Sequence, residues 1–463
     1  MLPLLFIIIL LPFISIFPIL VIPKYFIRRI QVIVSILILI LSILLVYGFI
    51  TNQNNLTAPI SFNYLNFNLG FGLTQYTIIL ELMCAIVFTA ASIGIGYFIK
   101  DNERIYGVLF ALIEGSSIAL FLSSNLLLLY VFWEIAEFSM FFIIYIFGSS
   151  KRRYASIKFI IYSIISSLLL LVSILLFYIY VTPNTFTISQ IIANSSSIPA
   201  IIQLYILIFL SIAFFIKIPI FPFHNWLPDA HTEAPTTGSM ILAGVLLKFG
   251  GYGLILMSLM LPIFKNYQVF FATIFSISAV YSVFVAIKQS NLKRIIAYSS
   301  ITDMAIISLG ISSGLTLGIN GALYGMLGHA IAISMLFLIA GTLKELYGTL
   351  EISRLKGVIK DFSSIAYLFI LGSFATLGLP LTVGFIADIL IFTAAFSTFG
   401  MLSLIPLISI ILLGALLFFI IEKIFLSGKS KVIGYLVNSV MYSEIFLISA
   451  SIALGILPML FIH

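Results

Sequence analysis

Residues 200–222 read AIIQLYILIFLSIAFFIKIPIFP, an apolar run that holds one lysine and, at its end, two prolines. A membrane-spanning helix needs about 20 apolar residues, so the run is long enough to cross a bilayer. Proline removes a backbone donor and clashes with the preceding turn, so Pro219 and Pro222 predict a break just after Lys217. Free backbone groups and charges at membrane depth persist only where protein or water satisfies them. The stretch therefore predicts a membrane helix whose broken end faces a polar interior.

Apolar runs of similar length recur along the whole chain. The 463 residues are 62% hydrophobic and 8% charged, whereas soluble domains carry roughly a quarter charged residues. We read the runs as helices over 2–22, 30–50, 74–99, 105–123, 126–147, 157–181, 200–222, 238–261, 267–288, 292–312, 318–343, 362–398, 402–426 and 436–461. The sequence predicts an all-α polytopic membrane protein of about fourteen transmembrane helices, with 1–463 forming one membrane domain. The first run has no cleavage site and is read as a retained helix.

Basic residues in the loops predict an orientation. Loops on one side hold 18 lysines and arginines, whereas the opposite loops hold Lys265 alone. Cytoplasmic loops carry such an excess, so we expect both termini outside, in a prokaryotic plasma membrane or, alternatively, a mitochondrial inner membrane. The net charge of +7 does not indicate nucleic acid as a partner, because the basic residues are scattered between apolar runs and form no solvated patch.

A second interruption falls in the overlong run 362–398, where residues 378–384 read GLPLTVG. It lies five helices after the first interruption. Broken helices at corresponding places of two halves point to inverted repeats around an ion path at the midplane. We therefore expect two inverted five-helix repeats with discontinuous helices seven and twelve. The first repeat covers helices four to eight (105–261), and the second covers helices nine to thirteen (267–426).

Eleven ionisable residues fall inside the apolar runs. They are Glu81, Glu114, Glu134, Glu137, Lys217, Lys248, Asp303, Asp388, Glu422, Lys423 and Glu444. Each costs roughly 2.5 to 3.5 kcal/mol at a helix centre on insertion scales, so this number indicates a functional polar interior. Cys84 is the only cysteine, which excludes internal disulfides, Cys-based zinc sites and iron–sulfur clusters. Four histidines with no pair suited to haem make a redox cofactor or metal site unexpected on this chain.

Four stretches carry a resemblance to a known family. They read YVFWE at 130–134, FHNWLPDAHTEAPTTGSMILAGVLLKFGGYG at 223–253, NLKRIIAYSS at 291–300 and GHAIAISMLFL at 328–338. They resemble the antiporter-like proton-pumping subunits of respiratory complex I, of the NADH-quinone oxidoreductase chain M type or mitochondrial NADH dehydrogenase subunit 4 type. These subunits are related to Mrp antiporter subunits. The resemblance covers roughly residues 70 to 425.

The resemblance implies roles for five residues in proton translocation. Glu134 looks like the family's fifth-helix glutamate, and Lys217 like its partner lysine of the seventh helix. Lys248 looks like the eighth-helix lysine, and His329 like the eleventh-helix histidine. Asp388 stands where chain M has a glutamate and sister subunits have a lysine. We expect Lys217 to take up a proton beside Glu134, Lys248 and His329 to pass it along, and Asp388 to deliver it near the exit.

Further polar residues are expected to extend this axis. They are Glu114, Glu137, Lys293 and Asp303. Asp303 stands where relatives commonly have histidine, so it is either a relay or a partner of Lys293. Structural alternatives remain open: Lys217 could snorkel to the interface, and Asp388 could cap the resuming helix. His224, His231 and Glu233 resemble metal ligands at first sight but lie in an elbow that the family uses as scaffold.

The function that the resemblance implies is proton translocation in the membrane arm of a complex I-type quinone oxidoreductase. The chain would then be a subunit of an enzyme without redox chemistry or a cofactor of its own. Expected partners are other membrane-arm subunits, including sister antiporter-like subunits, the surrounding lipid and, indirectly, the peripheral redox arm. The alternatives are an Mrp-type cation/proton antiporter subunit and a pumping subunit of a membrane-bound hydrogenase or formate hydrogenlyase.

Overall fold

The computed structural model describes residues 2–52, 60–64, 67–428 and 432–457, and most of them are helical. Up to the first interruption the helices are α1 (Leu2–Val21), α2 (Lys24–Asn52), α3 (Gln75–Phe98), α4 (Glu103–Leu122), α5 (Leu126–Phe147), α6 (Arg152–Tyr180), α7 (Ile188–Ala193) and α8 (Ala200–Lys217). Two antiparallel strands, β1 (Ile60–Tyr64) and β2 (Phe67–Phe71), lie between α2 and α3 in the chain.

Eleven further helices follow the first interruption. They are α9 (Trp226–Glu233), α10 (Thr236–Ile241), α11 (Leu247–Met260), α12 (Gln268–Ile287), α13 (Leu292–Ser312), α14 (Thr316–Tyr347), α15 (Val358–Asp361), α16 (Ser363–Thr376), α17 (Val383–Phe399), α18 (Ile405–Ile420) and α19 (Asn438–Ile456). A π-helical turn, Leu242–Leu246, joins α10 to α11 within one continuous span.

The predicted number of spans is confirmed. In the described part of the chain, 13 helical segments are long and apolar enough to cross a membrane. One of them, Val383–Leu426, runs for 44 residues, about twice what a bilayer needs. A 3-10 turn at Gly400–Leu404 divides it, and Gly400 there has a φ of 57°. Counted separately, its two parts give fourteen spans, and the chain is an all-α multi-pass membrane protein.

Both expected interruptions are present. In the seventh span, α8 ends at Lys217 and the chain turns before α9 begins at Trp226, whose indole Nε1 donates to the carbonyl oxygen of Ile216 at 2.9 Å. In the twelfth span, α16 ends at Thr376 and α17 begins at Val383. Gly378 lies in this second break with a φ of 67°, a conformation that glycine adopts without steric cost.

Burial separates inner helices from outer ones. The spans Thr236–Met260 and Thr316–Tyr347 have 100% of their most apolar windows buried, whereas Pro3–Val21 has 33%. Large apolar side chains such as Phe17, Leu168 and Ile411 are exposed on the outer helices α1, α6 and α18, which suits contact with lipid. The inner spans carry Lys248 and His329, so the fold places these two polar side chains near the centre of the protein.

The eleventh span passes directly across the break in the twelfth. A methyl group at Gly328 of α14 would lie 3.0 Å from the backbone nitrogen of Gly384, in the first turn of α17. Since α14 and α17 pack this closely, His329 is brought toward the same turn. Glycine at position 328 therefore permits this close approach of α14 to the first turn of α17.

Candidate functional site

The first polar cluster is centred on Lys217, at the end of α8. Its ammonium forms an ion pair with Glu137 of α5 and donates to Ser163 Oγ of α6 at 2.9 Å. The rings of Phe159 and Trp133 lie 5.6 and 5.9 Å from Nζ. Only 4% of Lys217 is exposed, which excludes the snorkelling alternative. The break after Lys217 thus presents the amine to two neighbouring helices.

The direct partner of Lys217 differs from the prediction. The sequence indicated Glu134, but the carboxylate that contacts the amine is Glu137. Residues three apart lie on the same face of a helix, so both carboxylates face α8. Glu134 remains within electrostatic range of Lys217, and its Oε1 is buried without a hydrogen-bond partner among the described residues. The amine is therefore flanked by two acids.

The second cluster is centred on Lys248, which is wholly buried in α11. Its Nζ donates to the carbonyl oxygen of Ala243 at 2.5 Å and lies 2.7 Å from His329 Nδ1. Ala243 belongs to the π-helical turn, and such turns are frequent at functional sites because they leave carbonyls outside the regular pattern. Lys248 thus contacts a backbone carbonyl and an imidazole, whereas Lys217 contacts a carboxylate.

Lys217 and Lys248 lie on helices in direct contact. A methyl group at Gly250, two residues after Lys248, would lie 2.8 Å from Cβ of Lys217. Glycine at this position therefore permits the end of α8 to pack on α11. The helices that carry the two lysines are therefore packed against each other at this point.

His329 joins the second cluster to a third. Its Nε2 lies 2.9 Å from Ser300 Oγ and 3.9 Å from Asp303 Oδ2, both on α13. His329, Asp303 and Asp388 line one cavity. About 40 Å3 of it is open to water, and a single water needs about 10 to 15 Å3. The structure thus brings Asp303 beside the histidine, as a relay would require, and water can bridge to Asp388.

Asp388 lies in α17, one turn after Gly384, and faces the break in the twelfth span. A methyl group at Gly378 would lie 2.5 Å from Asp388 Oδ2. We expect Gly378→Ala to distort this break, both because of that clash and because an L-residue at positive φ costs about 1 to 2 kcal/mol. The expected result is a lower melting temperature of the purified protein.

Gly414→Ala provides a matched control for this prediction. Gly414 lies in α18, and the nearest atoms to a methyl group there, those of Leu377, are 3.7 Å away. The control is expected to leave the melting temperature unchanged. Equal behaviour of the two variants would contradict the role assigned to Gly378.

The remaining residues of the predicted secondary axis do not form one row. Lys293 is buried and donates to the carbonyl oxygen of Ala234 at 2.7 Å. Its amine therefore binds the elbow between α9 and α10 and is not the partner of Asp303. Glu114 accepts from Ser35 Oγ of α2 at 2.8 Å. The direct partner of Glu114 is therefore on α2.

Ion pairs tie the elbow to its surroundings. Asp229 binds Lys158 of α6 at 2.7 Å and Arg294 of α13 at 2.8 Å. Glu233 accepts from the backbone nitrogen of Lys151 at 2.8 Å, and His231 stacks on Phe337 with 4.4 Å between ring centroids. The described residues contain no group of three His, Cys, Asp or Glu that could hold a metal ion. These contacts are those of a scaffold.

Sequence reasoning missed several polar residues. Ser163 and Ser300 were not singled out, because serine is common in membrane helices and nothing in its spacing marks a ligand. Glu81 and Glu444 were noted as buried but given no role. Glu81 accepts from Ser42 Oγ at 2.5 Å, and both carboxylate oxygens of Glu444 lack hydrogen-bond partners among the described residues. The only sequence signal for these two is an acid in an apolar run.

The helices that carry the site match a known protein family. Residues 123–417 match the family model described as NADH:quinone oxidoreductase/Mrp antiporter, TM. The chain belongs to this family. The match begins just before α5 and ends within α18, so it includes the helices that carry all five residues predicted for translocation.

Relatives and solved structures extend the match. NADH-quinone oxidoreductase subunit M of Rickettsia prowazekii (strain Madrid E) is 38% identical over 331 residues, which are 70% of this chain and 66% of that protein. The aligned part thus spans slightly less than two thirds of that relative's length. A chain of respiratory complex I from Thermus thermophilus with bound NADH superposes with a TM-score of 0.89 at 26% identity, covering 98% of this chain and 96% of that one.

A more distant structure shares the fold alone. A chain of the Mrp complex from Dietzia sp. DQ12-45-1b superposes with a TM-score of 0.84 at 16% identity. It covers 98% of this chain and 95% of that one. The fold is therefore common to both branches of the family, and the higher identities lie on the oxidoreductase side.

Proposed function

We propose that this chain is a proton-translocating membrane-arm subunit of a complex I-type quinone oxidoreductase. One observation carries the proposal: two buried lysines on contacting helices, Lys217 beside carboxylates and Lys248 beside His329. Burial disfavours a charged amine and a nearby carboxylate favours it, so a buried amine can gain or lose a proton when its partners move. Electron transfer would take place in partner subunits.

The proposed route uses the three clusters in order. Lys217 takes up a proton beside Glu137 and Glu134, Lys248 and His329 pass it along the midplane, and Asp303 and Asp388 deliver it through the shared cavity. Moving one charge against about 150 mV needs about 3.5 kcal/mol. An ion pair at about 4 Å and an effective dielectric of about 20 contributes about 4 kcal/mol. The free energy gained when the Lys217 ion pair forms, and lost when it opens, is therefore large enough to load and release one proton.

Two alternatives remain within the same fold. An Mrp-type antiporter subunit would exchange cations for protons, and a subunit of a membrane-bound hydrogenase or formate hydrogenlyase would use another electron source. The 38% identity to subunit M of Rickettsia prowazekii, against 16% to the Mrp chain, favours the oxidoreductase.

The proposal includes partners, repeats and orientation. Sister antiporter-like subunits would flank this chain, and the peripheral redox arm would act on it from a distance. The inverted repeats 105–261 and 267–426 are supported by breaks in the seventh and twelfth spans, five spans apart. We place the chain in a prokaryotic plasma membrane, with both termini outside, because of the basic residues in alternate loops.

The test purifies the native complex through a tag on this chain and reconstitutes it in sodium-free vesicles. We expect iron–sulfur subunits to copurify and NADH with a quinone to acidify the vesicle lumen. A protonophore should abolish the acidification, and a sodium ionophore should leave it intact. Cation-transport partners with a sodium requirement would instead identify the antiporter alternative, and a nickel-containing partner would identify the hydrogenase.

A further inference from the structure

A groove of about 940 Å3 opens at one end of the helix bundle. It lies where α2 and α19 begin and where α3 and α14 end. Its lining includes Arg28, Arg29, Ile33, Ile93, Lys100 and Ile433. None of these residues belongs to the Lys217 cluster, the Lys248 cluster or the cavity at Asp388, so the groove has no part in the proposed proton route.

One wall of the groove is held in place by the segment before α19. Tyr97 Oη donates to the carbonyl oxygen of Tyr435 at 2.8 Å. The backbone nitrogens of Ile433 and Gly434 both donate to the carbonyl oxygen of Leu346, at 2.8 and 3.0 Å. A methyl group at Gly434 would lie 2.3 Å from the carbonyl oxygen of Glu345. The wall is thus fixed by several independent contacts and forms a defined site.

The rim of the groove is basic and leaves one cation available. Arg28 is paired with Glu103 at 2.6 Å, and Lys100 with Glu345 at 3.2 Å. Arg29 is exposed and lies 5.6 Å from the Phe26 ring. Within the described ranges it forms no ion pair, so its guanidinium is free to bind an anion, for which its planar fork suits phosphate.

Below the rim the lining becomes apolar. Ile33 follows Arg29 by four residues in α2, and Ser92 precedes Lys100 by eight along α3. At a rise of about 1.5 Å per residue, the groove extends about 6 to 12 Å from the charged rim toward the bilayer core. Val32, Ile93 and Gly96 line this deeper part. The site is therefore cationic at headgroup depth and apolar where acyl chains begin.

We propose that this groove binds an anionic phospholipid, with its phosphate on Arg29 and the start of an acyl chain along α2 and α3. Basic pockets between transmembrane helices on the cytoplasmic side recognise such headgroups. The groove lies at the end of the bundle where the sequence places most of its basic loop residues, and anionic lipids are enriched in the cytoplasmic leaflet. A zwitterionic lipid has the same acyl chains but lacks the net charge that Arg29 selects.

The test uses the intact complex in phosphatidylcholine vesicles. These contain a trace of phospholipid with a photoactivatable group in the upper acyl chain, on either a phosphatidylglycerol or a phosphatidylcholine headgroup. After irradiation, mass spectrometry locates the attached lipid. We expect phosphatidylglycerol to label peptides containing Ile33, Ile93 or Ile433 about fivefold more than phosphatidylcholine, the selectivity of one basic residue near a membrane surface.

Two variants and a control decide the result. Arg29→Gln should abolish the headgroup preference, and Ile433→Trp should reduce labelling by both lipids because it fills the groove. Arg153→Gln removes an exposed arginine of α6 outside the groove and should change nothing. Equal labelling by both lipids in the unaltered complex, or a preference that survives Arg29→Gln, would overturn the proposal. Absence of labelling by either lipid would do so too, since it would mean that a partner subunit covers the groove.

Discussion

Replacing Lys217 by methionine is expected to abolish proton pumping by the assembled complex. The variant removes the amine that pairs with Glu137 and leaves this buried carboxylate without its cation, with the half-buried Glu134 one turn away on the same helix. Breaking a buried ion pair by removing one partner costs about 3 to 5 kcal/mol, and the group that would be protonated is gone. The measurement is lumen acidification per NADH oxidised in vesicles, with assembly checked by the yield of intact complex.

Loss of folding must be separated from loss of function in this experiment. The double variant Lys217→Met with Glu137→Gln removes both charges of the pair, so we expect assembly to recover while pumping stays absent. Lys423→Met is the matched control, because Lys423 also lies in an apolar run but is exposed beside the Phe419 ring. It should pump like the unaltered complex. A Lys217→Met complex with undiminished pumping would contradict the proposed role.

The sequence predicted most of the fold because hydropathy and helix length are tightly constrained in a bilayer. Backbone groups in lipid must be satisfied within the segment, so each apolar run of sufficient length gives one helix. The breaks were indicated by proline, which removes a backbone donor and clashes with the preceding turn, in the stretches 217–222 and 378–384, although α1 continues through Pro12 and Pro18. The turn at Gly400 was less visible, but the helix boundaries on either side of it were placed within a few residues.

The partners within the site were harder to predict. Choosing Glu137 over Glu134 depends on the rotation of α5 and on the side-chain conformation of Lys217, and neither is encoded in apolar spacing. The family pattern indicated Glu134, whereas the acid that contacts Lys217 is Glu137. Ser163 and Ser300 depend on how α6 and α13 pack. The π-helical turn that offers the Ala243 carbonyl to Lys248 likewise has no sequence signal in residues 242–246.

A second large effect is expected for Lys248→Met. Lys248 bonds to a carbonyl oxygen and to His329, so its removal leaves no directly contacting carboxylate unpaired. Methionine is similarly long and unbranched, which fills the space in the apolar interior. We therefore expect the variant to assemble with a loss of stability of about 1.5 to 3 kcal/mol, as for other lost hydrogen bonds to a charged group. Pumping is expected to fall at least tenfold because the link between the Lys217 cluster and the cavity at Asp388 is lost.

Lys293→Met provides the contrast that makes this result informative. Lys293 is also buried, but its amine binds the Ala234 carbonyl in the elbow, outside the proposed route. A lost hydrogen bond to a charged group costs about 1.5 to 3 kcal/mol, so this variant should lower the melting temperature and the yield while the assembled fraction still pumps. Both variants are thus expected to lose stability, whereas only Lys248→Met is expected to lose transport in the assembled fraction. If Lys248→Met complexes pumped normally, the proposed route through His329 would be wrong, because no other described amine contacts that histidine within hydrogen-bond distance.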